Sequence, residues 1–448
     1  MASPAALARS RPDWMLRQVQ KRLTPDELAS LYDESAERRP SQERDSWLND
    51  RLEVQLQYAY DMAPAMRRKF DEAGVLPSQI RSVDELPRLP VTKKGELVRL
   101  QQNDPPFGGL LGVPADSLSR VYVSPGPIYD AWGPERISAQ LRTYLRDGFP
   151  KPGDVVLVSL SYHMVPAGLF LTDVLDLMGC SVVPAGTGQT ELQVKLLRDL
   201  QATAILSFPS FVMSVLRKAE EMGYDVRTDL NLKYVVGGGE RHGQMLKKVF
   251  REKYGLVVGD GYGTADVGPV AYDCGLDLGY HFDDEQAVVE IVDPDSGRQV
   301  NPHEVGEVVI TPFSRTYPLV RLGTGDLASY TDEICPCGRT SPRIVKILGV
   351  IGDHVRVKGM FVHGREVAEA MSRFPTISRY QMVVTLDGHR DHVTLRVELL
   401  DGANCESLPG QIDGACQQAF KLRMDEIDFV PSGTLSEGSN WFLDLRWK

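Results

Sequence analysis

Apolar positions follow a helical period early in the chain, and the period changes twice further along. Residues 14–75 set charged side chains around apolar ones at helical spacing (Leu52, Leu56, Tyr60), which predicts amphipathic helices. Gly74 stands where a left-handed C-cap would end them. The stretch Leu86-Pro87-Arg88-Leu89-Pro90-Val91-Thr92-Lys93-Lys94 reads as a proline-punctuated connector, with Thr92 placed to cap the helix that follows. From about residue 150, short β-branched runs alternate with helical patterns. Strands are predicted at 155–160, 181–184 and 204–208, with helices at 170–178 and 191–200 between them. That alternation implies βαβ units and a largely parallel sheet. Two antiparallel strands follow at 288–292 and 307–311, joined by the turn Asp293-Pro294-Asp295-Ser296-Gly297. After Gly349 the pattern restarts as a small α/β unit: a helix near 365–374, strands at 381–386 and 392–399, and a helix from about 407 to 423.

Composition narrows the class. A chain of 448 residues is too long for one compact core, so two or three domains are expected. Its hydrophobic content of 42% and charged content of 25% are ordinary for a globular protein. The formal net charge of −11 argues against a nucleic-acid groove, which needs a basic face. Apolar runs fall short of the ~20 residues that span a bilayer, so no membrane partner is expected. The basic N-terminus (residues 1–11) is not followed by an apolar segment and does not read as a signal peptide. Six cysteines do not make a disulfide framework in a chain of this size, and a cytoplasmic location is expected.

Two segments carry most of the candidate chemistry: Gly261-Tyr262-Gly263-Thr264-Ala265-Asp266 and Arg321-Leu322-Gly323-Thr324-Gly325-Asp326. Each joins glycines, which let a backbone come close to a ligand, to a hydroxyl and a carboxylate, which suit phosphate, Mg²⁺ or ribose. Gly237-Gly238-Gly239-Glu240 follows the apolar run Tyr234-Val235-Val236, and Ser161-Tyr162-His163 follows a predicted strand. Phe70-Asp71-Glu72-Ala73-Gly74-Val75, the Leu89–Lys94 stretch and Cys335-Pro336-Cys337-Gly338-Arg339-Thr340 complete the set. In this order the motifs resemble those of the AMP-forming adenylating enzymes, and the chain is similar to their phenylacetate-CoA ligase-type subgroup almost from end to end.

The resemblance implies an α/β adenylating-enzyme fold. A large N-terminal domain of mixed and parallel sheets flanked by helices would span residues 1–348. A small α+β lid would span 352–448 and turn at about Gly352-Asp353. It implies an AMP-forming ligase that activates an aryl or related carboxylic acid with ATP, releases pyrophosphate and passes the acyl group to CoA. Thr264 would bond the α-phosphate, Asp266 would help hold Mg²⁺ where the family usually has Glu, and Tyr262 would stack on adenine with Gly263 beside it. Asp326 would accept the ribose hydroxyls, Gly238, Gly239 and Glu240 would form the adenine-side loop, and His163 would line the acyl and pantetheine channels. Ser124 and Gly126 would belong to the phosphate loop. Related ligases are often dimers, so a homodimer is a possible assembly. The acceptor could instead be a carrier-protein thiol or a reductase, and a degenerate nucleotide-binding homologue without full turnover is the third reading.

Three departures from the family pattern bear on that third reading. The phosphate loop is reduced to Val123-Ser124-Pro125-Gly126-Pro127-Ile128-Tyr129, with one glycine, two prolines and no lysine. Prolines remove backbone donors from an anion cradle. The Gly-Arg pair before the hinge is Gly349-Val350, and the C-terminal Glu-Gly-Lys is Glu437-Gly438-Ser439-Asn440. Lys358, Arg356, Arg446 and Lys448 are the candidates to replace the lost charge.

Cys274, His281, Cys335 and Cys337 offer three thiols and an imidazole, a set suited to structural Zn²⁺; two free thiols under a loop and a surface histidine are the alternative. Plainer readings stand beside the others too. His163 could be a core histidine, Tyr262 simple packing, Asp326 a turn cap and Gly237–Gly239 a tight strand-to-helix turn. Glu240 could be an acid at a helix N-terminus, and Lys93 and Lys94 part of a solvated face.

Overall fold

The computed structural model describes residues 22–124, 127–146, 148–240, 243–350, 354–358, 360–388, 390–400, 408–435 and 442–446. Gly126, Gly352-Asp353, the 437–440 segment and Lys448 therefore lie outside the described residues, as does the side chain of Arg356. The chain packs as two compact units, one of residues up to Thr324 with Ala328–Ile347, the other of Gly325–Leu327 with Leu348–Lys448.

A twelve-stranded sheet organises the first unit. Across one half, strands Ser181–Val183, Val155–Val158, Ala204–Leu206, Tyr234–Gly238 and Val257–Thr264 lie side by side in parallel. Parallel neighbours need crossovers, which helices Ala167–Leu177, Thr190–Asp199, Pro209–Glu221 and Gly243–Glu252 supply. These strands read as unbroken apolar runs because both faces are covered: Val156, Leu157 and Val158 are fully buried. Beyond Val257–Thr264 the sheet turns antiparallel through Gly268–Asp273 and Tyr280–Phe282. It continues through Arg343–Val350, Leu322–Thr331, Val305–Pro312 and Ala287–Val292.

The strands expected at 288–292 and 307–311 pair in the register Val288↔Thr311 and Val292↔Glu307. Their connection is longer than the turn at Asp293, because Gln299 bridges back to Val292 before the second strand begins at Val305. Helix Ser41–Met62 buries Leu48, Leu52, Leu56 and Ala59 along one stripe. Helix Pro64–Ala73 ends at Gly74 with φ 64°, the left-handed cap its sequence called for. Among the described residues no helix is long and apolar enough to cross a membrane.

Thr92 does not cap the next helix. Its strand Thr92–Lys93 pairs with Leu322 and Gly323, Lys93 takes the N-cap position, and the Thr92 hydroxyl accepts from Lys69 Nζ at 2.5 Å. Lys69 also donates to Val320 O at 2.6 Å, so this buried amine ties the helix to strand Thr92–Lys93 and to the segment that precedes strand Leu322–Thr331. Burial pushes Lys69 down from 10.5 to about 7. Between those values the unfolded chain binds a proton that the folded chain does not, so stability rises with pH over that window and levels off above it. Replacing Lys69 by Met removes this contribution. The difference in unfolding free energy between wild type and Lys69→Met should therefore grow from pH 7 to 10, by at most about 1.4 kcal/mol per pH unit. Denaturant titrations at four pH values check it, and a pH-independent difference refutes it.

The second unit is built on a four-stranded sheet in the order Glu426–Phe429, Arg390–Leu399, Ile377–Asp387 and Phe442–Asp444. Helices Gly364–Met371 and Leu408–Phe420 contribute Val367, Met371, Ile412, Cys416 and Phe420 to its core, with Met382, Val384, Val393 and Leu395 from the strands.

Candidate nucleotide site and thiol–imidazole cluster

The Tyr262–Asp266 segment lies where the sheet changes from parallel to antiparallel. Strand Val257–Thr264 ends in a turn over residues 265–267 and reverses into Gly268–Asp273. The glycines here serve the neighbouring strand first. A Cβ on Gly261 would meet Ala271 O at 2.6 Å, and one on Gly263 would meet Gly268 O at 2.5 Å beside a register shift. Tyr262 is packed into the core at 7% exposure, and its hydroxyl donates to the Thr324 hydroxyl at 3.3 Å. That bond joins the two motif strands within the first unit. Gly238 pairs directly with Gly261, which brings the 237–239 loop alongside. Beneath the segment, Lys247 lies 2.7 Å from both Asp260 and Asp273, and Tyr280 donates to Asp260 at 2.8 Å. This buried charge set fixes both strands against helix Gly243–Glu252.

Asp266 is fully buried, and Lys94 Nζ sits 2.8 Å from its Oδ2. Burial alone would raise this carboxyl; the Lys94 ammonium outweighs burial and holds it below the usual carboxylate range. Arg136 donates to the Asp266 backbone carbonyl at 3.0 Å and stacks its guanidinium on Trp132. Asp130 faces the same group. Burial, and then the Asp266 charge, push the Asp130 carboxyl up to about 8. The Ser124 and Thr264 hydroxyls lie beside Asp130 and Asp266 without the alignment of a hydrogen bond, and both Asp130 oxygens lack a partner. So many unsatisfied polar atoms in one buried place mark a site built for something else to complete.

Ser124 reaches this place from a hairpin, Arg120–Ser124 against Ile128–Trp132. Ser124 pairs with Ile128 at the end of the hairpin, and the rest of the phosphate loop expected around Ser124 and Gly126 lies outside the described residues at 125–126. Val123 N donates to Met164 O at 2.7 Å, which holds the Ser161-Tyr162-His163 turn next to the hairpin. His163 is exposed there, so the core-histidine reading does not hold. Tyr162 is half-buried, its hydroxyl 2.9 Å from that of Thr172.

Glu240 is committed elsewhere. Its carboxylate accepts from the Ser210 hydroxyl and, at 2.9 Å, from the Ser210 backbone N–H. It therefore caps the start of helix Pro209–Glu221, a neighbouring helix and not the one that follows it in sequence. Gly239 takes φ 75°, which only glycine adopts readily. Asp326 is half-buried in the middle of strand Leu322–Thr331. Arg321, read as part of the ligand motif, is 1% exposed and bonded to Glu290, Leu89 O and Gly297 O.

The four proposed metal ligands come together, with their donor atoms all within 4.8 Å of one another. Cys274 Sγ is 3.9 Å from Cys335 Sγ, and Cys337 Sγ is 3.4 Å from His281 Nε2. A tetrahedral zinc with ordinary bond lengths would set these edges at ~3.8 and ~3.6 Å. His281 is fully buried, and its Nδ1 lies 3.2 Å from the Ser341 carbonyl, which orients Nε2 toward the thiols. The donor set and its geometry fit zinc.

Lys94, Asp130 and Arg136 were the residues that sequence reasoning missed. Lys94 was visible, since it closes the Leu89–Lys94 stretch, but it was assigned to a solvated face. Asp130 and Arg136 carried no motif signal.

Comparison with known proteins agrees with this architecture. Residues 134–312 match the family model for AMP-binding enzymes, which defines the class. The chain is 31% identical over 381 residues to the phenylacetate-coenzyme A ligase of Thermus thermophilus, covering 82% of this chain and 84% of that one. It is 30% identical to the Escherichia coli phenylacetate-coenzyme A ligase over 387 residues, covering 83% and 85% of the two chains. Among solved structures it resembles a 2-hydroxyisobutyryl-CoA ligase in complex with 2-HIB-AMP and CoA. The TM-score is 0.83 at 25% identity, over 96% of this chain and 95% of the other. The chain belongs to the phenylacetate-CoA ligase family of adenylating enzymes.

Proposed function

We propose that the chain activates an aryl or related carboxylic acid with ATP, releasing pyrophosphate, and transfers the acyl group from the adenylate to CoA, releasing AMP. The observation that carries this reading is likeness along more than four-fifths of the chain to phenylacetate-coenzyme A ligases. In the first half-reaction a carboxylate oxygen bonds to the α-phosphorus as the bond to pyrophosphate breaks. In the second, the thiolate sulfur attacks the acyl carbon and AMP leaves. Both steps pass through crowded anionic centres, so groups that face the phosphate supply most of the stabilisation.

In this reading residues 1–348 form the adenylate-forming domain and 352–448 its lid. Thr264 and Ser124 present hydroxyls to the nucleotide phosphates, and Asp326 receives the ribose. Gly238, Gly239 and Tyr262 border the adenine, with only 7% of the Tyr262 surface exposed. His163, exposed on its turn, borders the acyl and thiol path. A Mg²⁺ bound with the nucleotide would neutralise phosphate charge, and Asp266 is the carboxylate that would be offered to it, with Oδ1 lacking a hydrogen-bond partner. The Cys274, His281, Cys335 and Cys337 set would hold a structural zinc, which would tie the turn after Asp273 to the loop after Thr331.

A second reading, nucleotide binding without full turnover, is favoured by the sequence between Ser124 and Ile128, which holds two prolines and no lysine. ATP–pyrophosphate exchange across aryl, arylacetic and fatty acids separates the two. Exchange that depends on one acid is expected. No exchange across the panel, with AMP still bound, would leave the second reading in its place. Swapping CoA for a carrier-protein thiol then identifies the acceptor.

A further inference from the structure

The thiol–imidazole cluster is not sealed from solvent. A cavity of about 290 Å³ lies beside it, and two of its thiols, Cys274 and Cys337, stand in the cavity wall. Both are half-buried, whereas Cys335 is 2% exposed and takes no part in that wall. Cys274 Sγ and Cys335 Sγ are 3.9 Å apart, so an exposed thiol has a buried one within reach. Three arginines, Arg38, Arg146 and Arg339, line the cavity against two carboxylates, Glu34 and Asp273. An oxidant that takes electrons from sulfur leaves as an oxyanion, and an excess of guanidinium stabilises that charge as it forms. Cys180 and Cys416 have no such setting, since each is fully buried in a hydrophobic core.

We propose that Cys274 and Cys335 form a peroxide-sensitive modification site: a small hydroperoxide entering the cavity converts the two thiolates to a disulfide and expels the zinc they hold. The Cys274 sulfur attacks one peroxide oxygen, the O–O bond breaks, and hydroxide leaves and takes a proton from solvent. Cys274 is then a sulfenic acid. The Cys335 sulfur attacks it next: the S–S bond forms, the S–O bond breaks and a second hydroxide leaves to be protonated. Two electrons pass from the thiolates to one hydrogen peroxide, which ends as two waters. Zinc keeps only Cys337 and His281, too few protein ligands for a closed tetrahedral site, and departs. The inference rests on the metal reading of this cluster and does not depend on which acid the chain activates. Its effect falls close to the nucleotide motif, because Cys274 directly follows Asp273, which pairs with Lys247 at 2.7 Å beneath the Tyr262 segment.

Zinc-loaded protein treated with hydrogen peroxide should release its ion to a colorimetric chelator, about one zinc per disulfide formed. Mass mapping of alkylated digests should join Cys274 to Cys335 and leave Cys180 and Cys416 as thiols. Dithiothreitol with added zinc should restore the bound ion. Serine at a ligand position weakens zinc binding by itself, so the variants are read by the disulfide map, which needs no metal. Cys337→Ser should still form the Cys274–Cys335 bond, and Cys274→Ser should form no disulfide to Cys335. Retained zinc with unreacted thiols, or a wild-type bond between Cys335 and Cys337, overturns the proposal. Wild type that neither carries zinc nor takes it up overturns the metal reading instead, and the same map then decides whether Cys274 and Cys335 are the reactive pair.

Discussion

Arg321→Met is expected to destabilise the first unit by about 3–5 kcal/mol, the range for breaking one side of a buried ion pair. The guanidinium is 1% exposed and makes a two-pronged contact with Glu290, at 3.1 and 3.0 Å. It also donates to Leu89 O and to Gly297 O, each at 2.5 Å. One side chain thus fastens strand Ala287–Val292, the proline connector and the turn at Asp293 to the strand that bears the second motif. Methionine would leave the Glu290 carboxylate buried without its cation and two carbonyls without donors. That group penalty, more than the lost attraction, sets the size of the effect. The double variant Arg321→Met/Glu290→Leu should regain much of the loss, because it buries no stranded charge. Guanidinium unfolding of the three proteins measures this. A single-variant loss below ~1 kcal/mol would show that the network is dispensable.

Arg321 also shows where sequence reading worked and where it did not. Local periodicity located the strands at 288–292 and 307–311 because an apolar run with turn residues after it leaves few alternatives. The parallel half of the sheet was legible for the same reason, and Gly74 was legible because a left-handed cap needs glycine. Side-chain commitments made across long sequence distances were not. Arg321 stands beside Gly323 and Gly325 in sequence and looks like part of a ligand loop, yet its partners are 31 and 232 residues away. Glu240 follows a glycine run but spends its carboxylate on Ser210, 30 residues earlier. Lys94 looked like surface charge because nothing near it in sequence announces Asp266. Motif residues define where a site lies, whereas the charges that tune it come from elements whose own patterns are silent.

The thiol–imidazole cluster is the case in which distant residues could be matched in advance, since few side-chain sets suit one ion so narrowly, and it carries the last expectation. Protein purified without chelator should hold about one zinc per chain. Cys335→Ser and His281→Ala should each lose it and lower the melting temperature by about 5–10 °C, a few kcal/mol spread over a unit of this size. The effect should extend past the ligands. Between Cys337 and the ligand-orienting Ser341, Arg339 bonds Glu37 at 2.6 Å and Thr340 donates to Arg39 O at 2.8 Å. Glu37 in turn pairs with Arg146, which reaches Asp283 beside the His281 strand at 3.1 Å. Loss of the ion frees the 335–340 loop and with it the anchor of the segment Glu34–Arg38, so hydrogen exchange should rise in both places and little in the 155–206 strands. Cobalt in place of zinc should give the intense visible bands of a tetrahedral thiolate site. Metal-free protein at neutral pH, with Cys335→Ser melting as wild type does, would reduce the cluster to one buried and two half-buried thiols around a histidine.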